Sequence, residues 1–171
     1  MVITLAPHGL LYQALRDGGI TGRSAALDRW SETPLKEQAG PVVREPRIPG
    51  PDHPITITPH PSRIVVRAGG EVLADTTSAL TLREAAYPPV YYLPLADVDQ
   101  DALKRTDTST YCPYKGDCSY FGIPAADGSG DTVDVAWFYE EPYPAVAEIA
   151  SRVAFYADRV TVVVEGETSA D

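Results

Sequence analysis

Residues 63–74 read Arg63-Ile64-Val65-Val66-Arg67-Ala68-Gly69-Gly70-Glu71-Val72-Leu73-Ala74. Two β-rich runs flank Gly69-Gly70, and glycine freely supplies the positive φ that a tight hairpin turn demands. Outward from this hairpin the pattern stays β. Over Ala79 to Glu84, Leu80 and Leu82 alternate with Thr81 and Arg83. Val90-Tyr91-Tyr92-Leu93 is opened by Pro88-Pro89 and closed by Pro94. Ser109 to Tyr114 and Asp117 to Ile123 read as strands around Lys115-Gly116, and a turn over 125–131 feeds a strand over 132–139. Val160 to Glu165 closes the series.

Two helices interrupt it. Asp97 and Gln100 have capping-box spacing, which predicts a short helix over 98–105. Val146, Ile149, Ala150 and Val153 fall at i, i+3, i+4 and i+7, with Pro144 suited to a first turn, so an amphipathic helix is expected there. Such helices are too few to cover a parallel sheet. The expected class is α+β, mainly β: an antiparallel sheet curled into a small barrel or sandwich, with one or two short helices and a helical N-terminal arm.

That arm spans residues 1–39. Leu10, Leu11, Ala14 and Leu15 have helical spacing up to Gly18-Gly19, and Ser24 can cap a second helix carrying Ala25, Ala26, Leu27 and Trp30. Helices this short are unstable alone, so the arm must dock on its own domain or on another subunit, a homodimer being one option. Residues 40–62 carry seven of the sixteen prolines and are expected to be a stiff extended linker with no folded element. Residues 63–166 form a single mainly-β domain, and 167–171 a polar tail.

Composition limits the partners. The 171 residues carry a formal charge of −10, with cations scattered and never in a run. Repulsion from phosphates argues against nucleic acid and against anionic membrane surfaces. No stretch approaches the roughly 20 apolar residues of a membrane span, and no basic region precedes an apolar block as in a secretory signal. A cytoplasmic location is therefore expected. Two cysteines cannot supply a four-ligand zinc site, and His8, His53 and His60 all lie far upstream, so no metal and no cofactor is expected.

Residues 63–165 resemble the bacterial and fungal family known as domain of unknown function 427. The resemblance rests on the Gly-Gly hairpin followed by Ala74-Asp75, on Glu84 ahead of Pro89-Val90-Tyr91-Tyr92-Leu93-Pro94, and on Asp97. It continues through Thr110-Tyr111-Cys112-Pro113-Tyr114-Lys115-Gly116, Tyr120, Ala136-Trp137, Tyr139, Pro142 and Ala154-Phe155-Tyr156. The resemblance implies a compact, mostly β fold and a bacterial cytosolic setting. The chain departs from the family's pattern at Cys118, where a small residue such as Ala is expected, and in its N-terminal extension. Some labels in the family suggest nucleotidyl transfer. This chain carries neither a Walker-type glycine loop nor a Gly-Ser start with closely paired carboxylates.

Chemistry concentrates in Cys112-Pro113-Tyr114-Lys115-Gly116-Asp117-Cys118, which holds both cysteines and one of three lysines. Cys112 is either a thiolate activated by Lys115, able to act as nucleophile or redox centre, or a small buried hydrophobe. Residues three apart on a strand face opposite ways, so the two side chains meet only if Pro113 and Gly116 turn the chain between them. Lys115 either pairs with Glu84 or faces a ligand, since a lone buried charge is costly. Tyr92, Tyr114, Trp137 and Tyr139 form either an aromatic core or a pocket with hydroxyl handles. No histidine of the matched domain offers a base. Glu140, Glu141 and Asp134 read as a solvated hairpin end, and 127–131 as a turn.

The functional expectation is a small organic or anionic ligand in a pocket lined by Tyr92, Cys112, Lys115, Trp137 and Tyr139, with Glu84 orienting Lys115. The alternatives are a transferase or lyase using Cys112 or Lys115, and a homo-oligomeric module assembled through the arm.

Overall fold

The computed structural model describes residues 44–125, 129–130 and 132–166. The helical arm read over 1–39 and the tail over 167–171 lie outside them. Among the described residues ten strands follow in chain order: β1 Ile55–Pro59, β2 Ile64–Ala68, β3 Glu71–Thr76, β4 Leu80–Glu84, β5 Val90–Pro94, β6 Lys104–Cys112, β7 Gly116–Pro124, β8 Thr132–Phe138, β9 Arg152–Phe155 and β10 Thr161–Val164. Every pairing is antiparallel. One sheet has seven strands in the order β1-β4-β5-β9-β8-β7-β6, and a second has three in the order β10-β2-β3. The larger sheet runs from β1 at one edge to β6 at the other, so the expected barrel does not close.

The hairpin over 63–74 forms β2 and β3, with Gly69 at φ 57° and Gly70 at φ 93° in its turn. Alternation along the strands sorts side chains onto two faces of the larger sheet. Leu93, Ala136, Phe138, Val153 and Phe155 join Ile64, Val66 and Leu73 of the small sheet in one apolar cluster. Tyr92, Trp137, Tyr139, Ala154 and Tyr156 point the other way, into a second cluster with Leu82, Cys112, Cys118, Tyr120, Val146 and Ile149.

Three local expectations are corrected. Ile55–Pro59, read as linker, is an edge strand whose Ile55 faces Glu84 across β1 and β4. Its backbone is extended as the prolines require, and Pro59 sits at a strand end where its missing donor costs no ladder bond.

The helix read over 98–105 is absent. Val98 bridges Ala74, and the Asp99 amide donates to the Leu73 carbonyl, so this backbone serves the small sheet. Asp97 accepts the Thr76 hydroxyl at 2.6 Å, and Gln100 Nε2 donates to the Leu95 carbonyl, which removes the capping pair. A single 3₁₀ turn over Leu95–Asp97 remains.

The helix read over 146–153 shrinks to a 3₁₀ segment, Pro144–Ile149, broken internally at Val146 (φ −133°, ψ 25°). Ser151 turns at φ 55°, and Val153 enters β9 opposite Leu93 and Phe138. Val146 and Ile149 are buried as the periodicity requires, but Val153 is buried by strand pairing instead. Among the described residues no helix is long and apolar enough to cross a membrane.

Candidate functional site

The turn joining β6 to β7 brings the thiol and the amine together. The Lys115 amide donates to the Cys112 carbonyl at 3.2 Å, and Gly116 takes φ 107°, so the chain reverses between the two strands. Lys115 thereby faces the same side as Cys112, its Nζ 3.8 Å from Sγ. A loop clamps the turn from outside: the Tyr143 amide donates to the Lys115 carbonyl at 3.0 Å. A Cβ at Gly116 would stand 3.3 Å from the Glu141 carbonyl, so glycine serves both the positive φ and this close approach.

Lys115 is 2% exposed and reaches the last residue of β4, where Nζ donates to Glu84 Oε2 in an ion pair. The other carboxylate oxygen, Oε1, lies 2.9 Å from His53 Nε2. Gly50 and His53 exchange backbone hydrogen bonds in a short turn, and the Arg47 amide donates to the Pro113 carbonyl at 2.7 Å. The residues before β1 are thus fastened to the lysine turn. The His53 ring stacks on Tyr114 with centroids 4.0 Å apart and planes 5° from parallel. The result is a continuous line, Cys112–Lys115–Glu84–His53. It starts in the core and ends at a histidine whose side chain is 25% exposed.

Cys112, against which Lys115 lies, packs into an aromatic and neutral cluster. The Trp137 Nε1–H donates to the Tyr92 hydroxyl at 3.4 Å, and the Tyr120 and Thr110 hydroxyls are 2.8 Å apart. Burial pushes the Tyr92 and Tyr139 hydroxyls far above the ordinary tyrosine range, so neither ionises near neutral pH. Burial also pushes the Cys118 thiol up to about 11. The ion pair of Lys115 with Glu84 therefore stands against a neutral surround of phenols and a thiol.

Cys112 and Cys118 are both free and buried. Cys112 is opposite Gly116 and Thr110 is opposite Cys118, which sets the thiols on one face a diagonal apart. Diagonal neighbours lie roughly 7–8 Å from one another, whereas a disulfide requires Cβ atoms about 3.5–4.5 Å apart. A bridge would require the hairpin to shift.

Of the residues singled out in the sequence, Glu84, Tyr92, Cys112, Lys115, Trp137 and Tyr139 come together here. Tyr114 is half-buried against the same cluster, and its ring also covers His53 at the outer end. His53 itself is missed by the sequence reading, which assigns it to the linker. No local signal marks it, because its partner Glu84 is 31 residues away. The acidic residues stand apart. Glu140 pairs with Arg105, and Asp134 accepts the Thr106 and Thr108 hydroxyls. Among the described residues no group of three or more His, Cys, Asp or Glu side chains is placed to hold a metal ion. A surface cavity of about 540 Å³ lies outside the turn, lined by Gly116, Asp117, Ser119, Glu140, Glu141 and Tyr143.

A family model described as Domain of unknown function (DUF427), and labelled NTP_transf_9, matches residues 56–166. The chain belongs to this family. The DUF427 match runs from the second residue of β1 through β10, and it includes Glu84, Cys112 and Lys115. It begins three residues after His53, so the outer end of the line lies beyond the matched span. No curated protein matches the chain.

Proposed function

We propose that this DUF427 protein binds a small organic ligand through an acceptor oxygen that takes a hydrogen bond from Lys115. One observation carries the reading. An ammonium has three donors, and among the described residues Lys115 Nζ meets two partners, Glu84 Oε2 and Cys112 Sγ. A core built for stability alone has little use for this group. Replacing a buried ion pair by well-packed apolar residues is often neutral or stabilising. A buried, partly satisfied lysine against a thiol that packs among indole and phenol rings suits a binding site: mostly apolar walls with a few aimed polar groups. The approach runs along Glu84 and His53, the more exposed members of the line.

The test is native mass spectrometry of the full chain after incubation with cell extract, compared with Lys115→Met. The reading expects a bound mass of a few hundred daltons on the wild type and none on the variant, with both proteins folded by circular dichroism. Binding that survives in Lys115→Met would place the ligand elsewhere.

A second reading, a transferase or lyase, is favoured by the 3.8 Å approach of Cys112 Sγ to Lys115 Nζ. That contact sets a candidate nucleophile against a candidate acid or base. Cys112→Ser separates the two readings. Loss of turnover with retained binding supports chemistry at the thiol, and unchanged behaviour removes it.

A further inference from the structure

Resting on the ligand reading above, we propose that the ligand is an aldehyde or ketone and that Lys115 captures it reversibly as an iminium. Three features of the site point to a carbonyl rather than to an anion. Lys115 and Glu84 cancel each other's charge, and among the described residues no second Lys or Arg side chain pairs with Glu84, so an added carboxylate or phosphate would meet the Glu84 carboxylate unshielded. The chain's charge of −10 adds to that repulsion. A neutral carbonyl oxygen avoids both penalties while still accepting the remaining N–H.

The second feature is the carboxylate itself. An ammonium is not a nucleophile until it loses a proton, and Glu84 Oε2 is in hydrogen-bond contact with Nζ to take it. His53 holds the other oxygen at 2.9 Å, fixing the carboxylate's direction and linking it to solvent. The third feature is dryness. Tyr92 and Tyr139 are 1% exposed and Trp137 6%, so the wall excludes the water that would hydrolyse an iminium.

The steps balance without an oxidant or reductant. Glu84 takes one proton from the ammonium, and the freed nitrogen pair forms the N–C bond as the carbonyl π pair moves to oxygen. A second proton passes from nitrogen to that oxygen, giving a neutral carbinolamine. Glu84 returns its proton to the hydroxyl, the C–O bond breaks, and water leaves as the nitrogen pair forms C=N. The net change is carbonyl plus ammonium to iminium plus water, with the single positive charge conserved.

The experiment uses the full chain with propanal, acetone and benzaldehyde as probes and sodium cyanoborohydride, which reduces an iminium to a stable amine. The chain has only three lysines, so peptide mapping resolves every site, and exposed Lys104 is an internal control. Labelling of Lys115 should exceed that of Lys104 by about tenfold or more despite its burial, because desolvated lysines are the ones that serve as Schiff-base residues. Glu84→Gln should slow trapping at Lys115 by about 100-fold, the usual worth of a positioned acid–base group, while Lys104 labelling stays constant. If Lys115→Met does not fold, the Lys115-to-Lys104 ratio in the wild type still decides.

A probe that raises the melting temperature but leaves no reducible mass on Lys115 overturns the iminium and leaves the ligand reading standing. Absence of both a melting shift and a Lys115 adduct with all three probes overturns both.

Discussion

On one face of the seven-stranded sheet, Leu93, Phe138 and Val153 meet Ile64, Val66 and Leu73 with no polar side chain among them. On the other face, equally buried, Tyr92, Tyr120, Tyr139, Cys112 and Cys118 pack around Leu82 and Ile149, with Lys115 beside them. Both faces exclude water and both repay the ordering of the chain with apolar burial. Only the second also retains hydroxyls, thiols and an ion pair, each of which must find a partner or weaken the fold. The first face needs no explanation beyond stability. The second keeps polar and ionisable groups in a dry place, where each must be matched by a partner.

The largest expected effect tests this contrast directly. Lys115→Ala leaves the Glu84 carboxylate without its ammonium and should cost about 3–5 kcal/mol in urea unfolding. Making the pair apolar together, Lys115→Met with Glu84→Met, should recover most of that loss. A double variant as unstable as the single one would mean the second face depends on its charges for stability, and the contrast would fail.

Next is the apolar face. Leu93→Ala should cost roughly 3 kcal/mol from lost burial and the cavity left behind, yet leave Lys115 labelling by the carbonyl probes unchanged. Altered labelling in folded Leu93→Ala would show that the two faces are coupled.

The smallest effect is with pH. Cys118 ionises near 9.0 when unfolded and at about 11 when folded, and Tyr156 is likewise raised, from 10.0 to about 12. The folded state holds these protons longer, so stability is fully present below pH 9 and falls as pH rises toward 11 and 12. Between pH 8 and 10 the urea midpoint should drop by the equivalent of about 1 kcal/mol. A flat profile would mean the second face is wetter than its burial implies. Cys118→Ala should remove the part of the slope that begins near pH 9.

The strand pattern was largely legible, and for one reason. The strands of the hairpin, Tyr91-Tyr92-Leu93 and Ala136-Trp137-Phe138 are short β-branched or aromatic runs near turn residues, and Gly116–Pro124 alternates between buried and less buried positions, signals visible in any window of five to nine residues. The two helix readings failed where that local logic met competition. The 98–105 segment gives its backbone to β3, and the period-3.6 stripe ending at Val153 is cut so that β9 can pair between β5 and β8. Pairing partners at such distances leave no mark on the residues that accept them.

The site divides in the same way. Pro113, Lys115 and Gly116 announce a bend, because proline and glycine at that spacing turn a strand back on itself. Glu84 was a reasonable partner for a lysine that had to be buried, since a carboxylate had to be near. The histidine that completes the line was not readable, because it sits among prolines with no periodicity of its own.

The order of residues alone determined where most strands run and where the chain reverses at Gly69-Gly70 and Lys115-Gly116. Each of these follows from φ, ψ and side-chain direction within a few residues. Tertiary structure alone decided that β4 delivers Glu84 to Lys115, that the segment before β1 delivers His53 to Glu84, and that the sheets stay open. Those outcomes depend on which distant strands exchange hydrogen bonds, a choice made by the summed burial of the whole domain and not by any one segment.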